Sequence, residues 1–169
     1  MKQDDDFHID APTKSIDAIK ARILVDALHE LAVAGVGYSF YVSKIVWGVS
    51  LYLQCGEFVE RWKSYPRISD AARKIRDQGK KGWRKQVTFE HARPLSQIYS
   101  LLLAQGRQLT TEAIVEIVGA YPPVLVTREE NIELNKLYKK TGEPEERYRA
   151  IPYSGFELRS KPLYRLAEH

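Results

Sequence analysis

The sequence predicts a mainly helical α+β fold, in which an N-terminal helical hairpin is followed by a small sheet packed with three helices. Long apolar runs with helical spacing occupy the first part of the chain, and two short β-prone runs lie in the second part. Capped helical segments separate and follow those two runs. The chain has 169 residues, of which 44% are hydrophobic and 28% charged, as is typical of one globular domain.

The distribution of charged residues, prolines and glycines along the chain predicts how it is organised. Residues 1–12 are rich in acids and end at Pro12, so we expect a flexible acidic lead. Residues 13–169 form a single domain in this interpretation. Its helical part with a basic connector is 13–78, and its α+β part is 79–169.

The N-terminal part begins with the clearest helical pattern. Thr13 or Ser15 is a suitable N-cap, and residues with helical spacing follow: Ile16, Ile19, Ile23, Leu24, Ala27, Leu28 and Leu31. Glycines at 35 and 37 end this helix. A second, more hydrophobic helix is expected from about residue 39 to 63, and a short basic one from 70 to 77.

The second part alternates strands and helices. The predicted strands are 86–90 and 124–126, with helices between them at 97–104 and 112–118. Thr127 and Glu130 have the spacing of a capping box, which predicts a last helix from 128 to about 140. The tail from 145 to 169 is expected to be irregular and to wrap the body.

Composition excludes several classes of protein. Cys55 is the one cysteine and the four histidines are widely spaced, so neither an internal disulfide nor a Cys/His zinc site is expected. The acidic first ten residues do not resemble a signal peptide. The apolar stretch from Leu31 to Gly56 carries Lys44 near its middle, which disfavours a membrane span. We therefore expect a cytoplasmic protein with no membrane partner.

A basic block extends from Arg61 to Lys85. It contains ten basic residues and two acids, a local charge of +8 in a chain of net charge +4. Trp62, Tyr65 and Trp83 are interleaved with the cations, which favours a surface that contacts phosphates while aromatic rings stack on bases. A solvated basic helix and loop is the alternative. The predicted nucleic-acid contacts are Arg73, Lys74, Lys80, Lys81, Arg84 and Lys85.

The candidate catalytic segment follows the first strand, at residues 88–94. Glu90 and His91 are adjacent on a strand and should point to opposite faces, and Pro94 fixes the loop after them. His91 is expected at the lip of a cleft, where an imidazole can act as a general base. The alternative is a structural histidine beside a surface glutamate.

The run Phe89-Glu90-His91-Ala92-Arg93-Pro94, with Glu130 to Lys136 further on, resembles the HNH, or His-Me finger, nucleases. The resemblance implies that Glu90 is a ligand of Mg²⁺ or Mn²⁺ and that His91 activates water. It further implies that Asn131 orients the histidine and that Asn135 is a second ligand or a substrate contact. Here 40 positions separate His91 from Asn131, twice the family's usual spacing, and the family's third histidine is missing.

A metal-independent ribonuclease is a second chemical hypothesis. Such an enzyme needs a histidine and a cation that stabilises the phosphorane, while the 2′-hydroxyl of RNA is the nucleophile. His91 with Arg93 or Arg84 provides that pair, and Lys81 and Tyr148 are further members.

The leading hypothesis is therefore a small nuclease, such as a bacterial or phage defence protein or toxin, that acts on DNA or RNA through His91. The alternative is a non-enzymatic nucleic-acid-binding or adaptor module that uses the basic block. A homo-oligomer formed through the apolar residues 31–58, or an inhibitory protein partner, is also compatible with the sequence.

Overall fold

The computed structural model describes residues 15–58, 62–138 and 143–168. The helices in these ranges are α1 (Ile16–Val33), α2 (Phe40–Cys55), α3 (Asp70–Asp77), α4 (Leu95–Gln105), α5 (Thr111–Gly119), α6 (Arg128–Tyr138) and α7 (Pro144–Arg147). The strands are β1 (Val87–His91) and β2 (Pro123–Thr127). The expected mainly helical α+β fold is confirmed. The acidic lead predicted at 1–12 lies outside the described residues.

Helices α1 and α2 form the predicted hairpin, and their caps explain where they begin. The Ser15 and Ser39 side chains accept hydrogen bonds from the backbone N–H groups of Ala18 and Val42. Helix α2 is shorter than predicted because Gly56, with φ of 70°, ends it in a left-handed conformation. Helices α4 and α5 pack on the pair and complete the main hydrophobic core.

The buried face of α1 overlaps in part with the apolar positions that predicted the helix, since Leu28 belongs to both sets. Small and medium side chains line it, namely Ala18, Ala21, Val25, Leu28 and Ala32. Ile16, Ile19 and Ile23 are instead 70%, 48% and 61% exposed. Both sets have helical spacing, but the alanines allow neighbouring helices to approach closely, so the small-residue face is the one that packs.

Strands β1 and β2 form a two-stranded antiparallel sheet in which Phe89 pairs with Leu125. The N–H of Leu125 donates to the carbonyl of Arg67, and its carbonyl accepts from the N–H of Ser69, so both of its backbone groups point away from β1. By antiparallel geometry, the backbone N–H and C=O of Phe89 therefore also point away from β2. In the described part of the chain, no other strand pairs with this edge of β1.

The two faces of the sheet pack against different parts of the protein. Val87 and Leu125 pack on one side with Leu51 of α2 and with Tyr65. Val124 and Val126 pack on the other side in a second cluster, with Leu134, Tyr148, Ile151 and Leu158. The sheet is thus held between α2 on one face and α6 with the tail on the other.

Two local predictions are confirmed. Thr127 and Glu130 form the capping box, with hydrogen bonds of 2.8 and 3.1 Å between each side chain and the other residue's backbone N–H. The tail wraps the body: the N–H of Leu163 donates to the carbonyl of Leu53, and the Tyr52 hydroxyl donates to the carbonyl of Arg165. Its first residues are helical in α7, which corrects the expectation of an irregular tail from 145. None of the helices in the described ranges has the length and apolar content of a membrane span.

Candidate nucleic-acid interface

A positively charged depression lies where α3 ends and the chain turns toward β1. Gly79 and Gly82 have φ of 64° and 84°, and these left-handed turns fold the loop back on itself. The depression has a volume of about 690 Å³. We call it the basic groove. In the described ranges, its charged lining residues are the acid Asp77 and the cations Lys63, Arg76, Lys80, Lys81, Arg84 and Lys85.

The predicted nucleic-acid contacts divide into three sets. Lys80, Lys81, Arg84 and Lys85 are exposed and line the basic groove together. Lys74 is exposed on α3 but is not among the lining residues. The Arg73 guanidinium donates to the carbonyl of Ser154, so it ties α3 to the tail. Arg61 lies outside the described residues.

The aromatic residues of the basic block are largely core residues, which corrects the expectation that they stack on bases. Trp83 is 8% exposed and Tyr65 is 2% exposed. Both belong to the hydrophobic cluster that packs Val87 of β1 against Leu51 of α2. Trp62 is half-buried, and its ring centroid lies 6.5 Å from that of Trp83.

His91 does not stand at an exposed lip. It is 3% exposed, its ring contacts Trp47 edge-on with centroids 4.8 Å apart, and its Nε2 lies 3.1 Å from the Ser50 hydroxyl. Burial, with a smaller contribution from the charge of Arg147, lowers the pKa of His91 to about 3. The ring is therefore neutral at pH 7. The expectation of a solvent-reachable imidazole is wrong because α2 covers this face of the sheet.

Glu90 points to the opposite face of β1, as strand alternation predicts. Its Oε1 accepts a hydrogen bond of 3.0 Å from Nη2 of Arg147. The same guanidinium donates through Nη1 to the backbone carbonyls of His91 and Ala92. Burial raises the pKa of Glu90, and the contact with Arg147 lowers it by a smaller amount. Arg147 thus fixes the end of β1, a role that nothing in its sequence context indicates.

The ion pair bears on the predicted metal site. A guanidinium already neutralises Glu90, so a divalent cation at this carboxylate would lie close to a buried positive charge. Among the described residues, no group of three or more histidine, cysteine, aspartate or glutamate side chains is placed to hold a metal ion. The contact with Arg147 therefore disfavours Mg²⁺ or Mn²⁺ at Glu90, and the metal site at Glu90 and Asn135 stays a prediction.

A second depression lies at the unpaired edge of β1. It has a volume of about 510 Å³ and is bounded by α2 on one side and α6 on the other. We call it the edge cavity, and its lining residues are Tyr38, Trp47, Phe89, Glu90, His91, Pro94, Leu95, Ser96 and Asn135. The structure therefore brings three of the predicted site residues, Glu90, His91 and Asn135, to one cavity.

The other predicted catalytic residues have different partners. The resemblance implied that Asn131 orients His91, but the structure gives it another partner. Asn131 accepts hydrogen bonds from Nδ2 of Asn135 at both its carbonyl and its Oδ1, and the residue that contacts the His91 ring nitrogen is Ser50.

The predicted cations and tyrosine also lie away from the edge cavity or are buried. Arg93 donates to the Tyr121 hydroxyl and to the Glu143 carboxylate, and it does not line the edge cavity. Arg84 lies in the basic groove, at the far end of β1 from His91. Tyr148 is 1% exposed.

An aromatic series connects the basic groove to the edge cavity. From Trp83 the ring contacts continue to Trp62, to Phe89, to Trp47 and finally to His91, with centroid distances of 6.5, 4.9, 6.0 and 4.8 Å. The basic groove lies before the first residue of β1, and the edge cavity lies along its second half, from Phe89 to His91.

Comparisons of the chain with protein-family models, with curated proteins and with solved structures return no match.

Proposed function

We propose that this protein is a nucleic-acid-binding module whose basic groove contacts the phosphate backbone. One observation carries the proposal: among the residues that the structure describes, six basic side chains and one acid line a single depression. Closely spaced phosphates are the ligand that such a concentration of cations suits best.

The shape of the loop distinguishes this site from an ordinary solvated run of charge. On a continuous helix, successive lysines and arginines would point in different directions around the axis. Here the turns at Gly79 and Gly82 bring the cations of the loop and of the following 3₁₀ turn to one concave surface. The floor of that surface is the buried Trp83, which fixes the backbone of the turn.

The test is a titration of labelled single-stranded DNA and RNA with the protein, in which fluorescence anisotropy measures binding at several salt concentrations. We expect binding that weakens steeply as salt rises, because phosphate contacts release condensed counterions. A triple variant, Lys80→Gln, Lys81→Gln and Arg84→Gln, should bind more weakly and with a shallower salt dependence. The control removes three exposed cations elsewhere, through Lys20→Gln, Arg107→Gln and Lys136→Gln.

Because both triple variants have the same net charge, a general electrostatic effect would weaken them equally. Equal weakening would contradict the assignment of binding to the basic groove. A wild-type protein that binds neither DNA nor RNA would contradict the proposed function itself.

A nuclease is the second candidate, since Glu90, His91 and Asn135 line one cavity and the surrounding sequence resembles the HNH nucleases. The buried, hydrogen-bonded imidazole with a pKa of about 3 is a weak general base, which makes this candidate the less favoured one. Incubation with DNA and RNA, with Mg²⁺ or Mn²⁺ and then with EDTA, tests it. Cleavage by wild type that His91→Ala abolishes would favour the nuclease over the binding module.

A further inference from the structure

We propose that the edge cavity binds one unpaired nucleobase, with guanine preferred, from a single strand whose backbone lies in the basic groove. This inference rests on the proposed function and adds a specificity to it. The cavity lies at the unpaired edge of β1, and Tyr38, Trp47 and Phe89 supply its aromatic walls.

The size and walls of the cavity suit a flat aromatic ligand. Its volume of about 510 Å³ lies within the range of small-ligand pockets. Trp47 and Phe89 are half-buried with centroids 6.0 Å apart, and Tyr38 is 44% exposed at the rim. Rings that keep part of their surface open can stack on a base, as the aromatic side chains of single-strand-binding proteins do.

Glu90 and Asn135 supply acceptor oxygens in the cavity, whose unpaired strand edge also carries the backbone N–H of Phe89. Oε1 of Glu90 contacts Arg147, and Oε2 makes no hydrogen bond among the described residues. The Nδ2 group of Asn135 donates to two oxygens of Asn131, which leaves its Oδ1 as an acceptor. A ligand that fits must therefore present N–H donors.

Guanine meets this requirement best among the four bases of RNA. Its N1–H and its N2 amino group are adjacent donors on one edge, so a carboxylate can accept from both. Uracil has one N–H between two carbonyls, which Glu90 would repel. Adenine and cytosine each have an amino group beside a ring nitrogen that is itself an acceptor.

The charges around the cavity favour a neutral ligand over a cationic one. Arg147 is fully buried behind Glu90 and balances its charge. The basic groove adds further positive charge at the other end of β1. A base avoids this repulsion, and the phosphates of the strand that carries it are attracted to the groove.

The test compares short RNA strands made of uridine alone with strands that carry a single central guanosine, adenosine or cytidine. We expect the guanosine strand to bind wild type about tenfold more tightly than the uridine strand, and the other two strands to lie between them. Glu90→Gln should reduce that preference to less than about twofold, because an amide presents only one acceptor oxygen.

A second pair of variants keeps the test decisive if Glu90→Gln fails to fold. Tyr38→Ala removes an exposed ring from the rim and should weaken binding of the guanosine strand at least about fivefold. Tyr41→Ala removes a ring that is 79% exposed and does not line the cavity, so it should bind as wild type does.

The outcomes separate the two proposals. A wild-type protein that binds all four strands equally, or a Tyr38→Ala variant that behaves as Tyr41→Ala does, would overturn the base pocket while the basic groove stands. If the Lys80, Lys81 and Arg84 triple variant loses affinity while Glu90→Gln and Tyr38→Ala bind as wild type does, the base pocket is likewise overturned and the basic groove stands. Failure to bind any strand would overturn both proposals.

Discussion

Arg147 and Glu90 form an ion pair in which the guanidinium side chain has 0% exposure while the carboxylate side chain keeps 20%. The same guanidinium donates to the carbonyls of His91 and Ala92, so it neutralises a charge and satisfies the backbone at the end of β1. One buried side chain therefore anchors the chain at the point where the edge cavity begins.

Replacing Arg147 should be strongly destabilising. Arg147→Ala leaves the Glu90 carboxylate and two backbone carbonyls without their donor, and removing one partner of a buried pair costs about 3–5 kcal/mol. The measurement is the free energy of unfolding in urea. Arg149→Ala, at an exposed position two residues further on, should change it by no more than about 0.5 kcal/mol. Equal losses in the two variants would contradict the anchoring role.

His91 should make the protein sensitive to acid. Its pKa is about 3 in the folded state and 6.5 in its ordinary state, so folding favours the neutral ring. The neutral His91 ring therefore adds to the free energy of unfolding in full above pH 6.5. This stabilisation is lost as the pH falls toward 3, at about 1.4 kcal/mol per pH unit.

The His91→Gln variant tests that dependence. It should lose stability less steeply than wild type between pH 6.5 and 3, as unfolding at a series of pH values would show. Glu90 has the opposite effect on stability, because burial raises its pKa. Its stabilisation of the fold is present below its ordinary pKa of 4.5 and is lost as the pH rises through the raised pKa. If the free energy of unfolding of wild type and variant changes equally with pH, burial does not lower the pKa of His91.

Gly82 should be required for the shape of the basic groove. Its φ of 84° is unfavourable for any residue with a Cβ atom, although no neighbouring atom lies within 4 Å of that position. Gly82→Ala should therefore cost about 1–2 kcal/mol of unfolding free energy and weaken nucleic-acid binding. Gly37→Ala, at an equally open position without positive φ, is the matched control. A Gly82→Ala variant with wild-type affinity would show that the groove does not depend on this turn.

Gly119 should be required for docking of the tail. A Cβ atom there would lie 2.5 Å from Cγ of Pro162, which is too close for the present packing. Gly119→Ala should cost about 1–3 kcal/mol and expose the tail to limited proteolysis. Adding Pro162→Ala removes the clashing atom and should restore part of the loss. If the double variant is no more stable than Gly119→Ala, steric contact with Pro162 is not the cause.

Much of the fold was predictable because its signals are local. The short basic helix predicted at 70–77 is α3, which Ser69 caps, and the spacing of Thr127 and Glu130 predicts where α6 begins. The β-prone runs predict both strands. The apolar positions of α1 were predicted only in part to be those that are buried: Leu28 is buried, whereas Ile16, Ile19 and Ile23 are exposed, because tertiary packing decides between two sets with helical spacing.

The candidate site was predictable only in part. Alternation along β1 predicts that Glu90 and His91 point to opposite faces, which the structure confirms. The burial of His91 depends on Ser50 and Trp47 of α2, some 40 residues earlier, and Arg147 contacts Glu90 from a position 57 residues later. These contacts join residues that are distant in the sequence, so no local sequence pattern predicts them.

Strands β1 and β2 are partners in the sheet, yet the 31 residues between His91 and Pro123 fold into two helices that pack on the α1–α2 pair. Their pairing therefore closes a long loop rather than a tight hairpin, and long-range closure is slow. Helices α1, α2, α4 and α5 can gather before the strands meet. We expect the amides that pair β1 with β2 to gain their exchange protection late in folding and to lose it early in native-state opening.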